Sequence, residues 1–160
     1  DIHVYFSELM RHADLIVYGR KTYELMVPFW PDVAKEQSMG ETINEFARTF
    51  DGINKLVFSR TLKSVEDKKS SVVNTDPVAE VLRLKQQPGK DISLGGVELP
   101  SLLIKAGLVD EFHIVVHPVI VGEGRRLFDD LELQAKLQLK LVESKVLPSG
   151  CVAQRYVSAG

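Results

Sequence analysis

From Leu15 to Tyr18 the chain is apolar without a break, and the run stops at Gly19-Arg20-Lys21-Thr22-Tyr23-Glu24. Such a run lacks the polar alternation of a half-solvated strand. It needs cover on both faces, as a parallel strand has between two layers of helices. The same pattern recurs downstream. Lys55 to Phe58 and Ile92 to Leu94 are further short apolar strands, which empty into Ser59-Arg60-Thr61 and Gly95-Gly96. Strand and helix patterns alternating from end to end imply an α/β fold.

The helical stretches follow from spacing. Val4 to His12 places Phe6, Leu9 and Met10 on one side, and Glu41 to Phe50 does the same with Ile43, Phe46, Ala47 and Phe50 before Asp51-Gly52 closes it. Thr22 to Val27 predicts a short helix capped by Thr22 and ended by Pro28, and Phe29-Trp30-Pro31 reads as an aromatic loop. After a solvated stretch, Glu66 to Lys69, comes a brief Val72-Val73 strand. Pro77 opens a helix through Val78, Val81, Leu82 and Leu84 to Gln87. Leu99, Leu102, Leu103 and Ala106 form another helix face, with Pro100 tolerated in the first turn and Gly107 as the C-terminal cap. Phe112 to His117 is a fourth strand. Leu137 to Val146 and Cys151 to Val157 flank Pro148-Ser149-Gly150, an antiparallel hairpin expected to finish the sheet.

Composition narrows the function. The 160 residues, 44% hydrophobic, suit one domain with a sizeable core. A formal charge of -2, with 20 basic and 22 acidic residues interspersed, supplies no global field for nucleic acid or an anionic membrane. The lone Cys151 excludes an intramolecular disulfide and a cysteine cluster for zinc, and a cytoplasmic location is expected. No membrane span or cleavable leader is expected. His113 and His117 share a strand face roughly 13 Å apart, too far for joint metal ligation.

Three strands therefore end in turns that suit anions. Gly19 lets the backbone approach a phosphate closely while Arg20 forks onto its oxygens. Gly95-Gly96 leaves the next helix N-terminus unobstructed, and Arg20 and Arg60 can bracket a further phosphate. In an open α/β sheet ligands gather at the carboxyl ends of the strands, so the three turns can share one crevice. An extra phosphate would favour NADPH over NADH.

These blocks, followed by Val109-Asp110-Glu111-Phe112-His113-Ile114-Val115-Val116-His117-Pro118-Val119-Ile120-Val121-Gly122-Glu123-Gly124-Arg125-Arg126-Leu127-Phe128, resemble the dihydrofolate reductase-like superfamily. The last block is most similar to the C-terminal reductase domain of the bifunctional riboflavin-biosynthesis deaminase-reductase and its stand-alone bacterial relatives. The resemblance implies a single reductase-like domain over residues 1 to 160. Its fold would be three-layered α/β, a mostly parallel central sheet with a C-terminal antiparallel hairpin and helices on both faces. It also implies NADPH and hydride transfer to a pyrimidine- or pteridine-like small molecule. By the same resemblance Gly19, Arg20, Lys21 and Thr22 would meet cofactor phosphates, Ser59 and Arg60 the adenosine-ribose phosphate, and Gly95, Gly96, Val97 and Glu98 the pyrophosphate. Gly122, Glu123 and Gly124 would lie on the substrate side, unless they are only a turn between strands. A homodimer is implied, with Val115 and Val119 able to contribute. The family's first strand and loop, beside the nicotinamide, would precede Asp1, so the domain is expected to lack them. Only Asp1 and Glu8 are acidic on the first helix, which speaks against folate reduction. A nucleotide-binding module without turnover and a dihydrofolate reductase stay open as alternatives.

Overall fold

The structure is a computed structural model that describes residues 1–129 and 131–160. Its parallel half is a four-stranded sheet in the order β3-β2-β1-β4, made of β1 (Ala13–Gly19), β2 (Asn54–Phe58), β3 (Ser70–Val73) and β4 (Asp91–Leu94). β1 lies between β2 and β4, with Val17 opposite both Leu56 and Leu94.

The two-residue period of a strand sends neighbouring side chains to opposite faces, and each face of this sheet has its own core. Ile16, Tyr18 and Val57 point to one side. They pack with Met10 of α1 (Ile2–Met10), Tyr23 of α2 (Arg20–Met26) and Phe46 and Phe50 of α4 (Glu41–Gly52). Val17 and Phe58 point to the other, against Val81 of α5 (Pro77–Lys85) and Leu99 and Leu103 of α6 (Glu98–Lys105). The helix-sheet-helix layering expected from the apolar runs is what forms. Lys55 is the exception to an apolar interior. Its Nζ donates to the Ile53 carbonyl at 2.8 Å and sits 4.6 Å from the Phe50 ring centre, and burial lowers its pKa.

Phe29-Trp30-Pro31 is not a loop but the first turn of α3 (Phe29–Glu36). Pro31 falls where an amide N–H has no intrahelical acceptor, so its missing donor costs the helix nothing. Trp30 lies edge-on to Phe46 at 4.5 Å and packs against the core. The capping of α2 also differs from expectation. Gly19 is its N-cap, and Thr22 lies inside the helix with no capping bond. Gly107 meets its expected place, with φ at 72° one residue beyond the Ala106 cap.

The hairpin does not extend the parallel sheet. β5 (Glu111–Val116), β6 (Leu139–Val146) and β7 (Val152–Ser158) form a separate antiparallel sheet in the order β5-β7-β6. α1 joins the halves: Phe6 and Met10 pack on the parallel side, while Ile2 and Tyr5 reach Val115, Leu147, Cys151 and Ala153. The Asp1 carboxylate accepts from the amides of both Ile2 and Ser149, at 2.6 Å each, and so ties the start of α1 to the β6–β7 turn.

Phe50 is fully buried beneath β1 and β2 and also supplies the ring below Lys55. Phe50→Ala is expected to cost about 3–5 kcal/mol. Urea unfolding followed by circular dichroism would read it, and a loss under 1 kcal/mol would contradict this view of the core.

Candidate functional site

Parallel pairing of β2, β1 and β4 leaves all three carboxyl ends on one edge of the sheet, where Gly19 stands opposite Phe58. The predicted turns are therefore brought together, and side chains join them. Arg20 opens α2 at this edge. Its Nη1 donates to the Thr61 hydroxyl at 2.7 Å and its Nε to Glu24 at 2.8 Å. Ser59 shapes the middle turn, its Oγ accepting from the Leu62 amide at 3.0 Å. Arg60 is exposed beside it. On the opposite flank Lys21 approaches Glu98 at 3.4 Å, an exposed pair.

The glycine pair is demanded by contact between the turns. A β-carbon on Gly95 would come within 3.0 Å of the Tyr18 ring. At Gly96, where φ is 95°, it would fall 2.4 Å from the Thr22 hydroxyl. Thr22 thus serves the site as the surface on which the Gly95-Gly96 turn lies, and not as a cap. Tyr18 is held neutral, since burial pushes its phenol well above the ordinary range. Val97 precedes α6 and accepts from the Ser101 amide at 3.0 Å. The three turns present the cations of Arg20, Lys21 and Arg60 against the carboxylates of Glu24 and Glu98, an excess of one positive charge.

Gly122, Glu123 and Gly124, expected on the substrate side, belong to a different part of the chain from these turns. They lie on an exposed segment after β5, with open space around Gly122 and Gly124 where a side chain would begin. Two shallow depressions are also elsewhere. One of about 310 Å³ lies between the end of α6 and β5, lined by Ile104, Val109 and Phe112 among others. Another of about 270 Å³ runs along α6 and touches the turns only through Glu98.

Sequence reasoning missed two partnerships. Thr61 anchors Arg20 across 41 positions, a pairing without local signal; the i,i+4 spacing of Arg20 and Glu24 was the visible half of it. A second polar cluster joins α1 to the antiparallel sheet. Tyr5 Oη lies 3.1 Å from His113 Nδ1, His113 Nε2 lies 3.1 Å from Glu111, and Arg155 reaches Glu111 at 3.3 Å. Burial raises the Tyr5 phenol pKa, aided by Glu143. His117 meets Cys151 Sγ at 3.5 Å instead of sharing a ligand with His113. Among the described residues no group of three or more His, Cys, Asp or Glu could hold a metal ion, and no helix is long and apolar enough to cross a membrane.

A model of the RibD C-terminal domain matches residues 2–153. The chain belongs to that family. It is 36% identical over 152 residues to the Bacillus subtilis (strain 168) protein YyaP, covering 94% of this chain and 77% of that one. Its fold is shared with a candidate riboflavin biosynthesis protein of Shewanella sp. PV-4, at a TM-score of 0.72 and 22% identity over 97% of this chain and 79% of the other. A pyrimidine reductase-like protein of Corynebacterium diphtheriae follows at 0.58 and 16%, with the same coverage. The sequence resemblance to the reductase domain thus holds, and the RibD-like fold is a parallel sheet with helices on both faces plus an antiparallel sheet.

The contact between the first and third turns of this RibD-family chain is testable without a ligand. Gly96→Ala is expected to lose about 1–3 kcal/mol to the positive φ and about 1–3 kcal/mol more to the clash with Thr22. Adding Thr22→Ala should recover the second part only. A double-mutant cycle by chemical denaturation would show coupling between the two sites, whereas strictly additive losses would mean that the turns do not touch.

Proposed function

We propose that this chain is an NADPH-dependent reductase that transfers a hydride to a pyrimidine- or pteridine-like substrate, similar to the 5-amino-6-(5-phosphoribosylamino)uracil reductase of riboflavin biosynthesis. The observation that carries the reading is the junction of three turns at the carboxyl ends of β1, β2 and β4, in a chain of the RibD C-terminal family. That edge is where open α/β sheets take up nucleotides.

The donor set fits a dinucleotide phosphate. Arg20, pinned by Thr61 and Glu24, presents a preformed guanidinium, and Arg60 stands on the adjacent turn for a phosphate beyond the pyrophosphate. Backbone amides at the Gly95-Gly96 turn and the start of α6 can face the pyrophosphate, because no side chain intervenes at either glycine. Lys21 adds a mobile cation once it leaves Glu98. When bound, the cofactor supplies the hydride. The protein's part is to hold it by its phosphate end and to orient it, which is the principal contribution a reductase of this kind makes. No side chain of the three turns acts as a nucleophile in this scheme.

Fluorescence titration tests the phosphate contacts. Arg60→Ala is expected to weaken NADPH binding by about 1.5–3 kcal/mol, roughly ten- to a hundred-and-fifty-fold, while leaving NADH affinity unchanged. Arg20→Ala should weaken both cofactors. Unchanged NADPH affinity in both variants would overturn the assignment of this edge. NADPH oxidation on adding the ribosylaminouracil substrate, read by absorbance, separates a reductase from a binder without turnover.

A further inference from the structure

α2 carries the first of the three turns, yet little in the helix itself keeps it in place. Its seven residues are too few for a helix to persist on propensity alone. Gly19 caps it without a side-chain bond, and Val27 beyond its last residue is already extended. Tyr23 is the only buried residue of α2. Its ring lies in the cluster that holds Phe50 and Val57, with Met26 and Val72 at the margin. One side chain therefore seats the helix on the sheet.

That seat has a polar lock. A phenylalanine ring would fill the same space, whereas a buried hydroxyl must find a partner. The Tyr23 hydroxyl is hydrogen-bonded to Ser70, the first residue of β3. Ser70 Oγ donates to the Asp67 carboxylate, and the Ser70 amide donates to the Asp67 carbonyl at 3.2 Å. A hydroxyl has one proton to give. Because that of Ser70 goes to Asp67, Tyr23 donates to Ser70, and the three groups form a chain in which each bond polarises the next. Burial raises the Tyr23 phenol pKa, so its proton stays in place. The far end of the chain is fixed too. The Lys55 amide donates to the Lys69 carbonyl at 2.8 Å, and Ser70 stands beside Lys55 in the β2–β3 register. Asp67 is half-buried, although Glu66 to Lys69 was expected to be a solvated stretch.

The consequence lies at the other end of α2. Tyr23 follows Arg20 by three residues, less than one helical turn, so any lift or rotation of the helix about Tyr23 carries Arg20 with it. The bonds of Arg20 to Thr61 and Glu24 orient its guanidinium, but Glu24 rides on the same helix and cannot fix it. The surface that Thr22 offers to Gly96 moves with α2 as well. We propose that the Tyr23–Ser70–Asp67 chain positions the phosphate-binding turn, holding α2 at the height and rotation at which Arg20 and Lys21 face the crevice. Tyr23 is a positioning residue that touches no ligand. This role rests on the reading of the strand edge as a phosphate site, and it adds to that site a support some fifty positions away in sequence, roughly the span from Arg20 to Ser70. Apparent affinity falls with the fraction of molecules in which α2 is seated, so the loss on breaking the lock is limited to what its hydrogen bond contributes.

Tyr23→Phe removes the hydroxyl and keeps the ring. NADPH, followed by fluorescence titration, is expected to bind about three- to ten-fold more weakly, the span of one neutral hydrogen bond. Ser70→Ala should match it, and the double variant should be no weaker than either single one. Ser70→Thr keeps a hydroxyl and should restore the affinity of the unmodified chain. Val81→Ala opens a cavity on the opposite face of the sheet; it should lower the urea midpoint and leave NADPH affinity unchanged, which separates positioning from loss of stability. Inorganic pyrophosphate, followed by calorimetry, is the second probe. If pyrophosphate shows the weakening and the Ser70→Thr rescue while NADPH does not bind the unmodified chain, the lock stands and the reductase reading falls. If NADPH binds and its affinity is the same in Tyr23→Phe and Ser70→Ala, the lock is overturned and the reductase reading stands. Additive losses in the double variant, or no rescue by Ser70→Thr, also overturn the lock. An unmodified chain that takes up neither probe overturns both.

Discussion

The parallel half of the molecule depends on β1 being sealed on both faces. Ile16 and Val17 are adjacent, point in opposite directions and are both fully buried. Each such side chain contributes about 1.5–3 kcal/mol on burial, and neither contribution is available unless helices cover both sides of the sheet. That requirement selects crossover connections through α4 and α5 over tight hairpins, and crossovers make the neighbouring strands parallel. Parallel strands then deliver their exits to one edge. The meeting of Gly19, Ser59 and Gly95 is thus a by-product of burying Leu15 to Tyr18, and a ligand site at that edge needs only suitable residues in three short turns.

This dependence explains what could be read from the sequence. The apolar run of β1, the glycine pair after β4 and the helical face of α4 are local patterns, and each is where the spacing put it. Of the faces expected on α5 and α6, by contrast, Leu82, Leu102 and Ala106 are exposed, and Val81, Leu99, Leu103 and Ile104 carry the burial. Phe29 to Pro31 misled because proline suggests a break, although the first turn of a helix asks for no donor at that position. Thr22 misled because a threonine before an apolar stretch resembles a cap. Its actual partner, Gly96, is 74 positions away and became visible only with the fold. The division into two sheets had no local signal either, because strand pairing is decided by long-range packing. Arg20 and Thr61 teach the same lesson at the level of one hydrogen bond.

The two sheets spend their apolar residues differently. In the parallel sheet both faces are occupied by the chain's own helices, while the antiparallel sheet has α1 on one face only. α1 cannot cover both, because its Phe6 and Met10 are committed to the parallel side and its Ile2 and Tyr5 to one face of the other sheet. The Asp1 carboxylate fixes this arrangement at the helix start. On the far face Phe112 is buried near the end of α6, whereas Val116 and Val146 at the other end stay exposed.

The same economy bears on the charges at the proposed phosphate site. Glu24 and Glu98 stand among the cations, and two carboxylates beside an anion site would be a liability if their ion pairs were strong. They are exposed: Arg20 and Glu24 retain about half of their side-chain surface, and Lys21 and Glu98 more. Exposed pairs of this kind are worth about 0–1 kcal/mol, whereas a charged hydrogen bond to an ordered ligand contributes about 1.5–3 kcal/mol. If the proposed phosphate binds there, exchanging Glu98 for it at Lys21 would be favourable. At Arg20 exchange need not occur at all, since the guanidinium carries more donors than Glu24 and Thr61 occupy. The pairing with Thr61 would then lower the entropy lost on binding the proposed phosphate, because the side chain is already held by that hydrogen bond.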